Sequence, residues 1–205
     1  MRRRPISERE PEPTRVLVPR MYRVDPARSR IAFQVRFLGV TTVRGSVPVA
    51  SGTIVLSPEP LERSLRVRAD ASGIRTGLAI RDWHLRSHNY FHVRHHPEIS
   101  FQATRIDQVG EHVRIVGTLV LRGIAREIDV TATVAHRPLR VSDARSPSDV
   151  EGTADAVRYE SRFTLDRTWF AIATGGRVRA PFRHLAHYMI GRRAEVQVVL
   201  EGSAV

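Results

Sequence analysis

The chain has 205 residues, 41% of them hydrophobic, and a formal net charge of +12. A chain of this length buries a core without cross-links, so a single folded domain is expected. It contains no cysteine, which excludes disulfides, thiolate nucleophiles, cysteine-ligated zinc and iron–sulfur clusters. All 33 basic residues are arginine, which excludes the chemistry of a Schiff-base or P-loop lysine.

The first 20 residues predict a disordered tail. Acidic residues and prolines occupy the place where a secretory signal peptide has its apolar region, so we expect no signal peptide. No run of 18 apolar residues occurs, so we expect no transmembrane span. These patterns predict a tail over residues 1–20, a folded domain over residues 21–205 and a cytoplasmic location.

From Met21 onward the hydrophobic pattern has a period of two, which is typical of half-buried β-strands. In IAFQVRF, for example, Ile31, Phe33, Val35 and Phe37 share one face. The other predicted strands are GTIVL (52–56), LRVRADA (65–71), ISFQATRI (99–106), VRIVGTLVL (113–121), IDVTATV (128–134), VRYESRFTL (157–165) and AEVQVVLEG (194–202). Eight strands indicate a sandwich or closed barrel, with an up-and-down meander as the simplest topology.

Two segments interrupt the strands. Residues 75–97 predict a short helical insertion, with Thr76 as a candidate N-cap and Pro97 as a stop. Residues 136–156 are rich in Ser, Asp and Pro and predict a flexible loop. Small residues on the apolar faces predict space for a ligand inside a barrel; they are Ala69, Ala71, Gly117 and Ala132.

The chain resembles the YceI-like family over about residues 21–202. The segment YRVDPARSRIAFQVRFLGVTTVRGSV (22–47) is similar to the family's opening, and GTLVLRGIAREIDV (117–130) is similar to a later strand pair. The central signature, Arg-Asp-x-His-Leu-x-Ser with its continuation, is matched by Arg81, Asp82, His84, Leu85, Ser87, Phe91, Val93, Pro97, Ile99 and Phe101. The resemblance implies an all-β, eight-stranded antiparallel lipocalin-like barrel with a short helical insertion.

The resemblance also implies a function, which is non-catalytic binding, storage or transport of a polyisoprenoid, an isoprenoid quinone or a fatty amphiphile. The apolar stripe of the strands then becomes a tunnel for a hydrocarbon chain, and each buried CH₂ contributes about 0.8 kcal/mol. We expect no cofactor, no metal and no catalytic residue. The predicted tunnel residues are Phe33, Val35, Phe37, Val67, Ala69, Trp83, Leu85, Phe91, Phe101, Leu119, Val130 and Phe163.

Two sets of polar residues are candidates for the ligand head group or the barrel rim. The first set comes from the signature: Arg81, Asp82, His84 and Ser87. These side chains would either form a hydrogen-bonded network that ties the insertion to the rim or donate to a head group. The second set is the basic segment 175–193, in which Arg179 and Arg183 would recognise a diphosphate or an anionic membrane surface.

Two alternative functions stay open. A basic β-barrel would bind nucleic acid or anionic surfaces, although only 6% of residues are aromatic and no stacking motif appears, so nucleic acid is not an expected partner. A metal-dependent hydrolase would use the histidines between His84 and His96; His84 and His88 are spaced i, i+4, but no HExxH pattern is present. A homodimer is a further hypothesis.

Overall fold

The computed structural model describes residues 20–138, 155–174 and 190–205. The predicted tail, apart from Arg20, and most of the predicted loop over residues 136–156 lie outside these ranges. The strands are β1 (Arg20–Val24), β2 (Arg30–Phe37), β3 (Thr41–Val47), β4 (Val49–Leu56), β5 (Ser64–Asp70), β6 (Glu98–Val109), β7 (His112–Leu121), β8 (Ile124–Pro138), β9 (Asp155–Asp166) and β10 (Ile190–Ala204). One α-helix, α1 (Ala79–Arg86), is present in the described residues, and no helix there is long and apolar enough to cross a membrane.

The strands form one antiparallel sheet that closes on itself. From β4 to β10 each strand pairs with the next in the chain, which is the predicted meander. Strand β10 also pairs with both β1 and β2, while β4 pairs with β1 and β3 pairs with β2. Thus β1 and β2 act as one interrupted strand, as do β3 and β4, and ten segments occupy eight positions of the barrel. The predicted eight-stranded barrel is confirmed.

Two of the ten strands, β1 and β3, were not predicted as strands. The sequence of β3, TTVRGSV, lacks the alternation of large apolar residues that marks the other strands. Pro48 separates β3 from β4, because proline has no backbone N–H to donate to a sheet. Here the position of β3 is fixed by its pairing with β2, which depends on tertiary structure rather than on local sequence.

The two ends of the barrel differ. At one end a core of fully buried side chains fills the interior, including Tyr22, Ile54 and Val157 at 1%, 0% and 1% exposure. We call this the closed end. Because the sheet is antiparallel, the opposite end collects α1, the β2–β3 turn, the β7–β8 turn and residues 167–174. We call it the α1 end.

The predicted helical insertion is shorter than expected. Only Ala79–Arg86 is helical, and turns occupy most of residues 87–97. Thr76 is not the N-cap: that position is Leu78, which makes no side-chain cap bond. Gly77 separates the two with a φ of +82°, a left-handed conformation that a helix cannot contain. The insertion leaves and rejoins the barrel at one place, since Ala71 N–H donates to the Pro97 carbonyl at 2.8 Å.

Two of the small residues predicted to leave space do not do so. The ring of Phe101 lies over Gly117, so that a Cβ at residue 117 would be 2.5 Å from Phe101 Cζ and 2.5 Å from the Gln102 carbonyl oxygen. Ala71 is buried in a short 3₁₀ turn beyond β5. Ala69 and Ala132, by contrast, do line an internal cavity. Gly117 therefore accommodates an aromatic ring of the protein itself.

We predict that Gly117→Ala destabilises the fold by about 1–3 kcal/mol, because the added methyl overlaps Phe101. Urea unfolding measures the change. The matched test is the double variant with Phe101→Leu, which removes the ring and should give less destabilisation than the sum of the two single changes. Simple additivity would show that the ring and the glycine do not depend on each other.

Candidate functional site

A cavity of about 450 Å³ occupies the barrel interior and has an almost wholly apolar lining. This volume falls within the range of roughly 300–1,000 Å³ that is usual for small-molecule sites. Every predicted tunnel residue except Trp83 lines it: Phe33, Val35, Phe37, Val67, Ala69, Leu85, Phe91, Phe101, Leu119, Val130 and Phe163. Nine of these residues lie on inward faces of strands, and Leu85 and Phe91 come from the insertion.

Trp83 requires a correction. It lies on the outer face of α1 with 63% of its surface exposed, and it does not line the cavity. In the same helix Asp82 is 9% exposed and Leu85 lines the cavity. Successive helical residues are rotated by about 100°, so a position between two inward residues can point outward.

The cavity meets solvent beside α1. Ile80 and His84 both line the cavity and are both exposed to solvent, Ile80 at 58%. Deeper in the barrel, toward the closed end, the wall includes Tyr159, which is 4% exposed. Burial raises the pKa of Tyr159 to about 12, so its hydroxyl is uncharged at neutral pH. The cavity is thus an apolar tunnel, closed at one end, whose arginine and histidine side chains lie at the open end, while Tyr159 and Ser161 contribute hydroxyl groups to its wall.

The signature residues Arg81 and Asp82 build a hydrogen-bonded network around Thr76. The Asp82 carboxylate accepts from the Thr76 backbone N–H at 2.8 Å and from its hydroxyl at 2.5 Å. Arg81 Nε donates to the same hydroxyl oxygen at 2.7 Å, and Arg81 Nη2 donates to the Thr76 carbonyl at 2.8 Å. The bond from the Thr76 hydroxyl, more than any other interaction, holds the pKa of Asp82 below its usual value. The network fixes the entry to α1.

The structure separates the predicted head-group residues. Arg81 and His84 line the cavity mouth, whereas Asp82 and Ser87 do not. The Ser87 carbonyl instead accepts from the Tyr90 and His92 N–H groups, which folds the chain back after α1. Arg179 and Arg183 lie outside the described residues.

Arg167 is a lining residue that was not predicted. It is 6% exposed, and its guanidinium donates to four carbonyls, those of Gly191 at 2.9 Å, Ile172 at 2.6 Å, Ala173 at 3.0 Å and Ile190 at 2.9 Å. Burial lowers its pKa, against the opposing effect of Asp166 and Tyr90. In β9 every second residue up to Leu165 faces the interior. Extending this alternation by two residues would have predicted that Arg167 also faces the interior.

Residues 87–96 form a lid over the cavity, with Tyr90 and Phe91 in its wall. Arg122, in the β7–β8 turn, holds the lid by donating to the His88 carbonyl at 2.7 Å and to the Ala171 carbonyl. The Ala173 N–H adds a bond of 2.8 Å to the Asn89 carbonyl. Three separate chain segments therefore meet at the lid.

Four histidines of the lid form a cluster around His92. The ring centroid of His92 is 4.4 Å from that of His88, 4.3 Å from that of His95 and 5.5 Å from that of His96. Within the described ranges, no three His, Asp or Glu side chains are placed to hold a metal ion. Desolvation, together with the charges of His95, His88, His96 and Arg122, lowers the pKa of His92. The cluster is a concentration of titratable groups within the lid.

The fold and the cavity together define a closed antiparallel barrel with an internal apolar tunnel. The family described as YceI-like domain matches residues 22–202, and the chain belongs to that family. Among sequence relatives, a UPF0312 protein of Photorhabdus laumondii is 29% identical over 103 residues, and the protein YceI of Salmonella arizonae is 26% identical over 103 residues. Each alignment covers 50% of this chain and 54% of the relative, so the matched region spans about half the length of the relatives.

Two solved structures share the fold. One is BcnA of Burkholderia cenocepacia, with a TM-score of 0.65, 15% identity, and coverage of 87% of this chain and 98% of the other. The second is a polyisoprenoid binding domain from Saccharophagus degradans, with a TM-score of 0.65, 19% identity, and coverage of 90% and 98%. At these identities the likeness establishes the architecture of the barrel.

The lowered pKa of His92 predicts a loss of stability in mild acid. Above the unfolded-state value of about 6.5 the residue is neutral in both states. As the pH falls below that value, the unfolded chain takes up the proton first, so stability decreases until the folded-state pKa is passed. Thermal melting across this range should show a smaller loss for His92→Asn, because asparagine tolerates the left-handed φ of +51° at residue 92 without titrating. An unchanged acid dependence in this variant would contradict the assignment to His92.

Proposed function

We propose that this protein binds a long-chain apolar ligand, a polyisoprenoid, an isoprenoid quinone or a fatty amphiphile, inside the barrel and without catalysis. The observation that carries the proposal is the tunnel of about 450 Å³, filled with core at one end and open beside α1 at the other. A slim hydrocarbon chain matches that shape, and each buried CH₂ contributes about 0.8 kcal/mol. The polyisoprenoid binding domain of Saccharophagus degradans has the same fold, which supports this ligand class.

The ligand would enter with its chain toward Tyr159 and leave its polar end at the mouth. Arg81 and His84 are the signature residues that line the mouth, and both can donate hydrogen bonds. Arg81 is already bound to Thr76, so its orientation is fixed before the ligand arrives. Prior orientation lowers the entropy cost of binding.

The described residues include no group of three His, Asp or Glu side chains placed to hold a metal ion, so the hydrolase alternative has no support there, and nucleic-acid binding stays a prediction. Transport as opposed to storage, a cytoplasmic location and a homodimer stay predictions. The cavity itself supports retention of a ligand, which is common to both storage and transport.

Filling the tunnel should abolish binding. Val130 lines the cavity and Thr131, the next residue in β8, is exposed on the outer face. We predict that Val130→Trp lowers the affinity for a polyprenyl chain by at least about tenfold, since the indole occupies the volume that the ligand needs. Uptake of a radiolabelled or fluorescent polyprenyl alcohol by the purified protein measures the effect.

The matched control is Thr131→Trp, which adds the same side chain to the other face of the same strand. It should bind the polyprenyl alcohol as well as the unaltered protein does. Equal affinity of both variants and the unaltered protein would refute binding inside the barrel, and circular dichroism would establish that each variant is folded.

The polar residues at the tunnel mouth predict that the affinity depends on the head group of the ligand. We predict that His84→Leu lowers the affinity for a long-chain alcohol or quinone by about fivefold, which corresponds to the loss of one hydrogen bond. An alkane of equal length should bind this variant unchanged, because it has no group to accept the bond. Competition against a fluorescent ligand compares the pair, and an equal effect on both ligands would show that His84 does not contact the polar end.

A further inference from the structure

Six of the ten large apolar side chains that are exposed in the described residues lie at the α1 end of the barrel. They are Leu38 at 55% exposure, Val40 at 82%, Leu78 at 50%, Ile80 at 58%, Trp83 at 63% and Trp169 at 48%. We call this set the mouth rim. It includes both tryptophans of the chain. A concentration of exposed apolar side chains at one place marks an interaction site more often than scattered ones do.

The turn between β2 and β3 brings Leu38 to this rim at a conformational cost. Leu38 and Gly39 have φ values of +53° and +73°, as in the type I′ turns that connect hairpins. The first of these positions favours Asn, Asp or Gly, and a bulky residue there is strained. Leu38 is also exposed, so burial does not offset the strain. The exposed leucine adds apolar surface to the mouth rim.

Positive charge accompanies the apolar rim. Arg36, Arg192 and Arg193 surround a surface pocket at the start of β10, together with Gly191 and Asp166. Asp166 is the acidic residue of that pocket, and it already accepts from Arg192 Nε at 2.5 Å and from the Thr168 hydroxyl at 2.5 Å. Three arginines and one aspartate therefore line this pocket. This imbalance, beside Trp169, is suited to the phosphate groups of anionic lipids.

We propose that the mouth rim docks on the surface of a bilayer that contains anionic phospholipids. Tryptophan and aliphatic side chains enter the interfacial region of a membrane, and arginines bind its phosphates. Ile80 belongs both to the rim and to the cavity wall, so docking places the tunnel mouth against the lipid. A hydrocarbon chain then moves between bilayer and barrel without crossing water. Docking rests on the rim itself, and only the transfer step rests on the proposed function.

The test measures binding of the full chain to vesicles of phosphatidylcholine alone and of phosphatidylcholine with phosphatidylglycerol. Because both tryptophans lie on the rim, their fluorescence should shift to shorter wavelength on binding and should be quenched by lipids brominated in the acyl chain. Binding should be stronger to the anionic vesicles and should weaken with added salt. Absence of the shift and of quenching with anionic vesicles would overturn the proposal.

Two pairs of variants locate the contact. The double variant Leu38→Asn with Trp83→Gln should lower the affinity for vesicles by about tenfold. The control is Leu61→Ser with Val109→Ser, which changes two exposed residues at the closed end and should leave the affinity unchanged. Asparagine readily adopts the left-handed conformation of residue 38, so this substitution should leave the protein folded. A loss of vesicle binding would then reflect the loss of apolar contact. Arg193→Glu should weaken binding to anionic vesicles by at least about fivefold, while Arg105→Glu, which changes the net charge equally, should have a smaller effect.

Three results separate this proposal from its rivals. Equal effects of the rim and closed-end variants would overturn docking through the rim. A dimer in sedimentation velocity that the rim variants dissociate, without vesicle binding, would show that the rim covers a second copy instead. Val130→Trp should bind vesicles normally while losing polyprenyl uptake, so failure of ligand binding is distinguishable from failure of docking.

Discussion

The pairing of β10 with β1 and β2 is the interaction on which the rest of the structure depends. It closes the sheet, so that the last strand of the chain provides hydrogen-bond partners for the first two. Closure pairs every described strand except β3 on both sides, and so leaves little of the exposed edge that makes an open sheet prone to aggregation. It also turns one face of every strand into an interior separated from water. Without that enclosure the apolar wall around Phe33, Phe101 and Phe163 would be an exposed surface.

Antiparallel closure then distributes the remaining features between two ends. Strand β5 ends and β6 begins at the α1 end, so the long insertion between them must lie over that mouth. The Ser46–Arg75 backbone pairing, with bonds of 2.8 and 3.0 Å, ties the insertion to β3. Core side chains that include Tyr22, Ile54 and Val157 fill the closed end. The tunnel is therefore filled with core at one end and covered by the insertion at the other.

The sequence predicted well those features that depend on local pattern. Alternation in β2, β7 and β9 is imposed by the pleat and identifies the inward faces before any partner is known. The sequence did not predict features that depend on tertiary pairing, such as β3, which has no clear alternation of apolar residues. Thr76 resembles an N-cap in the sequence, but it lies before the helix and donates hydrogen bonds to Asp82. The exposure of Trp83 depends on how a short helix is rotated against the barrel. An eight-residue helix with mixed composition does not determine that rotation by its sequence.

The polar residues near the mouth differ in whether their hydrogen-bond donors are already bound to other groups of the protein. Arg167 and Arg122 lie at the tunnel end, but backbone carbonyls of 167–174, β10 and the lid accept from their guanidinium groups. Such arginines hold loops in place, and replacing their carbonyl partners with a ligand would exchange one hydrogen bond for another with little net gain. For the proposed ligands, we therefore expect tunnel shape and the more exposed His84 to contribute more to discrimination than these two arginines do.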